Sequence, residues 1–178
     1  MRLQEQDVFD RKFALRLVAM IESRLIWYKH YYGWADEIIM AMEKPPYWVL
    51  EIATVKYFPK AATIVREFVY SEPFETFYDE QHADEYVACL FLRYKHGAIS
   101  WATFLDEAGT FTDSHNGRLF CEDFYGRLNI LEDSEYSEQI EQSQCKEIET
   151  EFAQASATVS ALYDGFLEYF RQYVEKET

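Results

Sequence analysis

Apolar residues recur every three or four positions along most of this chain, a period that predicts helices rather than strands. Phe9, Phe13, Leu17 and Met20 form one stripe, and Val18, Ile21, Leu25 and Tyr28 form a second beside it. So broad an apolar face predicts a helix deep in a bundle, over residues 7–31. Gly33 is expected to break it, with a short helix over 34–43 carrying Ile38, Ile39 and Met42. Pro45 and Pro46 end that helix, because neither ring fits a helix interior. Further helices are expected over 47–55 and 61–70, with Pro59 as the break between them and Ser71 and Pro73 beyond.

The aromatic stretch 74–78 reads as a helical turn or a loop. A firmer helix covers 81–96, with Tyr86, Val87, Leu90 and Phe91 inward and the His96-Gly97 pair as its stop. Ser100 caps a helix over 101–108 that Gly109 is expected to end. Residues 110–117, Thr-Phe-Thr-Asp-Ser-His-Asn-Gly, read as a long loop. Phe120, Phe124 and Leu128 mark a helix over 118–131, and an acidic linker follows at 132–138. Ile148, Phe152, Ala155, Val159, Leu162, Phe166, Phe170 and Tyr173 then step along one face of a long last helix, 138–175. Gly165 lies inside it, at a cost of about 1 kcal/mol against Ala, and marks a place for a bend.

The expectation is a single all-α domain over 1–178: an irregular helical bundle or short α-solenoid of seven to nine helices with a long C-terminal helix. Only 6 Gly and 4 Pro occur, too few for a turn-rich β architecture. A faint internal echo fits a solenoid: Tyr28-Lys29-His30 before Trp34-Ala35, and Tyr94-Lys95-His96 before Trp101-Ala102.

Charge narrows the classes of partner. Seventeen Lys and Arg face 32 Asp and Glu, a net charge of −15. Phosphate backbones and anionic lipid both demand Lys or Arg clusters, so nucleic acid and membrane are not expected as partners. A basic protein is the electrostatic complement, although acidity also serves solubility alone. Cys89, Cys121 and Cys145 are odd in number and far apart, neither a disulfide framework nor a zinc ribbon. Reduced thiols, no apolar leader in the first residues and no run of roughly 18 apolar residues together suggest a cytoplasmic setting.

Candidate chemistry is sparse. Asp79-Glu80-Gln81-His82-Ala83-Asp84-Glu85 places Asp79 and His82 three apart on one helix face. Di-iron bundles use paired Glu-x-x-His motifs; here the pattern occurs once, and acids at a helix start are ordinary. Arg24 and His30 have a spacing similar to the Arg-x4-6-His motif of small helical HEPN ribonucleases, which implies an RNase activity at that pair. The motif's polar residue after the Arg is replaced by Leu25, and positions six apart on one straight helix diverge by about 120°. A surface Arg and a helix C-terminal His is the reading preferred. Cys121 stands beside Glu122 and Asp123, which oppose a thiolate. His115 is the one His in a loop. No catalytic residue, metal set or cofactor is assigned.

The remaining feature is an acidic tract: Glu132, Asp133, Glu135, Glu138, Glu141, Glu147, Glu149 and Glu151, opposed only by Lys146, with Tyr136 among them. Aromatics among charge are favoured at interface hot spots. These nine residues, Tyr136 included, are where a basic protein partner is expected to bind. In composition the chain resembles small acidic helical proteins that neutralise toxins, an immunity or antitoxin-like role. The rival reading is a small helical enzyme, a metal-dependent hydrolase around His82 or a HEPN-like RNase.

Overall fold

The computed structural model describes residues 3–177. Among them the chain is all α, with nine helices, one 3₁₀ turn and no strand. The helices are α1 (Arg11–Glu22), α2 (Tyr28–Ala41), α3 (Tyr47–Ile52), α4 (Phe58–Val69), α5 (Asp79–Lys95), α6 (Trp101–Thr112), α7 (Cys121–Asp133), α8 (Glu138–Glu151) and α9 (Ala153–Glu177). The 3₁₀ turn is Glu5–Phe9. Two compact units divide these elements. The first comprises the residues through Thr76 together with those from Ser160 onward, and the second runs Phe77–Val159.

In the first unit α1 lies along α4, and the centre is aromatic. The Trp34 ring stands 5.7 Å from Phe13, 5.6 Å from Phe166 and 5.9 Å from Trp48. Buried rings need their polar atoms met: Tyr31 Oη donates to the Val55 carbonyl at 2.8 Å, and Trp48 Nε1 donates to that of Val8 at 3.2 Å. In the second unit Phe91, Trp101, Phe104, Phe124, Ile148 and Phe152 form the core. Buried Gln144 ties it together, accepting from Trp101 Nε1 at 2.8 Å and donating to the Arg127 carbonyl at 2.9 Å.

Several boundaries differ from the sequence expectation, each for a physical reason. The helix expected over 7–31 is two helices and a 3₁₀ turn. Asp10 caps α1 by accepting from Lys12 N–H at 2.8 Å. After Ser23 the chain reverses through Arg24 at φ 61, and Leu25 and Ile26 fold back to bond the Met20 carbonyl. Burial of Leu25 and Ile26 offsets a left-handed residue that is not glycine.

Gly33 and Gly109 break nothing, lying inside α2 and α6. At each, a Tyr ring occupies the place of a side chain: Tyr169 against Gly33 and Tyr125 against Gly109. Pro59 also breaks nothing, because it sits in the first turn of α4, where its missing N–H is harmless. The long last helix divides at Phe152, which turns at φ −101, ψ 16 to bury its ring beside Phe124. Gly165 lies within helical α9. The internal echo is not structural: Tyr28-Lys29-His30 opens a helix, whereas Tyr94-Lys95-His96 closes one.

Other expectations hold. Gly97 takes φ 70 just past α5, and Ser100 Oγ accepts from Thr103 N–H at 3.1 Å to cap α6. Residues 74–78 form a loop, with Phe74 and Tyr78 exposed.

Candidate functional site

The corner between α7 and α8 carries the first part of the acidic tract. Helix α7 ends on Glu132 and Asp133, both exposed, and no basic residue lies in its last turn. Carboxylates there face the negative end of the helix dipole. The chain then turns through Glu135 at φ 54 and Tyr136 at φ 60. Their N–H groups close the helix on the carbonyls of Glu132 and Leu131, both at 2.9 Å. Two successive left-handed residues, neither of them glycine, are unfavourable by about 1–2 kcal/mol each. Glu138 opens α8. Among the described residues no cation or hydrogen-bond donor meets the side chains of Glu132, Asp133, Glu135 or Glu138. Tyr136 is 58% exposed at the turn, and nearby Ile130 is 54% exposed.

The rest of the tract is differently placed. Glu141 accepts from Tyr94 Oη at 2.6 Å; burial and this bond push the phenol's proton affinity up. Glu147 lies 3.4 Å from Arg127, and Glu149 lies 3.1 Å from Lys95. Glu151 is exposed, while its carbonyl accepts from Arg118 at 2.6 Å. The nine expected residues thus fall into two sets. Glu132, Asp133, Glu135 and Glu138 gather at the corner with unmatched charge beside Tyr136, whereas along α8 Glu141, Glu147 and Glu149 face a phenol and two cations and Glu151 is exposed at the helix end. Sequence spacing does not separate these sets, because Lys95 and Arg127 come from α5 and α7.

A polar cleft of about 430 Å³ lies elsewhere in the second unit, lined by Asp79, Glu80, Asp84, Glu85, Arg118 and Gln154 among others. Asp84 and Glu85 are buried. Asp84 accepts from the Arg118 backbone N–H at 2.9 Å and faces its Nε at 3.4 Å. Burial raises the Asp84 carboxyl above its ordinary range, with Glu80 adding and Arg118 opposing. Gln81 donates to Glu85 at 3.0 Å. Both carboxylates escape a sequence reading, because a buried acid and an exposed one look alike in a helix-start run.

The two His residues singled out in this unit come together. His82 and His115 have ring centroids 6.3 Å apart, and His115 stacks on Phe111 at 4.1 Å while its Nδ1 bonds the Phe111 carbonyl at 2.9 Å. No group of three or more His, Cys, Asp and Glu side chains among the described residues is arranged to hold a metal ion. Cys121 bonds Glu122 at 3.2 Å and Asp113 at 3.5 Å; the Glu122 bond leads in pushing its thiol up to about 11, away from a nucleophile.

Arg24 is exposed, the surface Arg expected, but His30 is not a helix-end His. His30 lies in the first turn of α2, only 2% exposed, stacked on Phe170 at 4.5 Å and edge-on to Trp27 at 4.6 Å. Burial holds its imidazole neutral, pushed down to about 4. Arg24 stands in the turn before it, with its guanidinium 5.0 Å from the Phe58 ring centroid. His30 is enclosed by rings, a packing position rather than one offered to a substrate. No described helix is long and apolar enough to cross a membrane. No protein family, curated protein or solved structure matches this chain.

Proposed function

We propose that this chain is a non-catalytic binding protein for a basic protein partner, and that the α7–α8 corner is its contact surface. The observation that carries the reading is how α7 ends. It closes on two unmatched carboxylates and leaves through two left-handed residues that are not glycine, with Tyr136 exposed at the tip. Each feature costs stability, and a basic residue at the helix end with a glycine in the turn would remove the cost. Local rules of stable folding are broken together where function requires it. An exposed Tyr ringed by acids supplies an aromatic anchor with a cation-attracting rim. In its sharpest form the partner is a basic toxin-like domain held inactive in a one-to-one complex, the form to which the net charge of −15 lends support.

The test is capture from the source cells with the wild-type chain and a variant bearing Glu132→Lys, Glu135→Lys and Tyr136→Ala, followed by mass spectrometry. A basic protein held by the wild type in 150 mM salt, released at high salt and lost from the variant supports the reading. A capture profile identical for the two chains, or one without a basic protein, overturns it.

A further inference from the structure

A further cavity lies in the first unit, where neither the acidic tract nor the polar cleft lies. It is an open groove of about 950 Å³ between the Glu5–Phe9 turn and the C-terminal end of α2. Its walls are mostly apolar, and two large side chains at it face water: Phe9 is 59% exposed and Met40 is 79% exposed. Met42 lies beside them, and Tyr169 also lines the groove. Contiguous exposed apolar surface beside a cavity is what a soluble domain avoids unless something covers it. Methionines suit a surface that moulds itself to an apolar face, since three rotatable bonds and a soft sulfur adapt to irregular shapes.

Charge selects the occupant. Among the described residues, the ionisable side chains lining the groove are Glu5, Glu37 and Tyr169, none of them a cation. Tyr169 Oη donates to Glu37 at 2.6 Å, which fixes that carboxylate at the wall. A lining of apolar side chains together with two acids fits a helix with one apolar face and Lys or Arg along the margins of that face. An acidic amphipathic helix, or a bare apolar segment, gains nothing from Glu5 and Glu37.

We infer that this groove docks a basic amphipathic helix of a partner protein. The surface is distinct from the α7–α8 corner, and the inference stands whether or not that corner binds anything.

The experiment uses the full chain and a fluorescein-labelled synthetic 18-residue Leu/Lys amphipathic helix, followed by anisotropy in 150 mM salt. The chain's four methionines are labelled at their methyl carbons for a parallel titration. Wild type is expected to bind one peptide saturably. The Met40 and Met42 methyl resonances should shift, and that of fully buried Met20 should stay. Phe9→Ser with Met40→Ser, both at exposed positions, should weaken binding at least tenfold, and Tyr136→Ala should leave it unchanged. A Leu/Glu peptide of the same pattern should not bind. The inference is overturned by affinity unchanged in the Phe9→Ser, Met40→Ser chain, by still Met40 and Met42 methyls, or by equal affinity for the Leu/Glu peptide. Self-association removed by the same two substitutions would seat a second copy in the groove, and would overturn it too.

Discussion

A Cβ on Gly109 would lie 2.7 Å from Cε1 of Tyr125, closer than two such carbons can approach. The absent side chain is what lets α6 and α7 meet. Gly109→Ala improves helix propensity by about 1 kcal/mol but drives the Tyr125 ring from its place, an overpacking loss of about 1–3 kcal/mol. Gly126, in the middle of α7, has nothing within 4 Å of its own virtual Cβ. There the propensity gain acts alone. Urea unfolding should show Gly109→Ala destabilised and Gly126→Ala stabilised by about 0.5–1 kcal/mol. The same sign at both positions would refute the packing role of Gly109.

Among the described residues Arg11 is the one buried Arg, at 8% exposure. It donates to the carbonyls of Ser71, Glu72 and Pro73, and it faces Glu75 at 3.7 Å. Its planar fork reaches three carbonyls from one site, which a lysine ammonium cannot reproduce. Arg11→Met should lose about 1.5–3 kcal/mol, since three carbonyls of the 71–73 segment lose a charged donor. Arg11→Lys should recover only part. Limited proteolysis should then cleave first within residues 71–78, and cleavage elsewhere in both variants would show that Arg11 does not hold this segment.

Helix identity is legible in this chain because three-and-four spacing of large apolar residues reports a buried face directly. The stops are less legible. His96-Gly97 and Ser100 act as their residue types dictate, because their roles are local. Gly33 and Gly109 mislead, since a glycine that breaks a helix and one that admits a Tyr ring look alike without the partner helix. Phe152 carries no breaking signal, and only the cavity it fills explains the turn. The site follows the same division. The run of acids in 132–151 is plain in the sequence, but which of them are matched depends on Lys95 and Arg127, which α5 and α7 bring alongside. His30 reads as a helix end until the left-handed turn at Arg24 makes it a helix start.

Burial of His30 makes a specific claim about acid. Its imidazole ordinarily titrates at 6.5, and folding lowers that to about 4. Between these values the unfolded chain takes up a proton that the folded chain refuses, so stability falls with pH. The contribution is complete above pH 6.5, is lost progressively toward pH 4, and amounts to on the order of 3 kcal/mol. Urea unfolding of wild type and His30→Gln at pH 7 and pH 4.5 isolates it. His30→Gln should be less stable at pH 7, since it forfeits the Phe170 stack, and should lose less on acidification. Parallel losses in the two proteins would place the acid sensitivity elsewhere.

The α7–α8 turn separates stability from binding. Glu135 at φ 54 has a conformation glycine adopts without penalty. Glu135→Gly should therefore stabilise the chain, by about 1 kcal/mol, while removing one carboxylate from the rim around Tyr136. Asp133→Lys should stabilise further, because a cation replaces an anion at the negative end of α7. If the corner exists to attract a basic protein, the two changes together yield a more stable chain that associates more slowly, with dissociation little affected. Stopped-flow association with the partner identified by capture, measured beside thermal unfolding, reads both quantities. A chain that gains stability and keeps its association rate would leave the shape of this turn unexplained by binding, and a chain that gains no stability would remove the strain on which the functional reading rests.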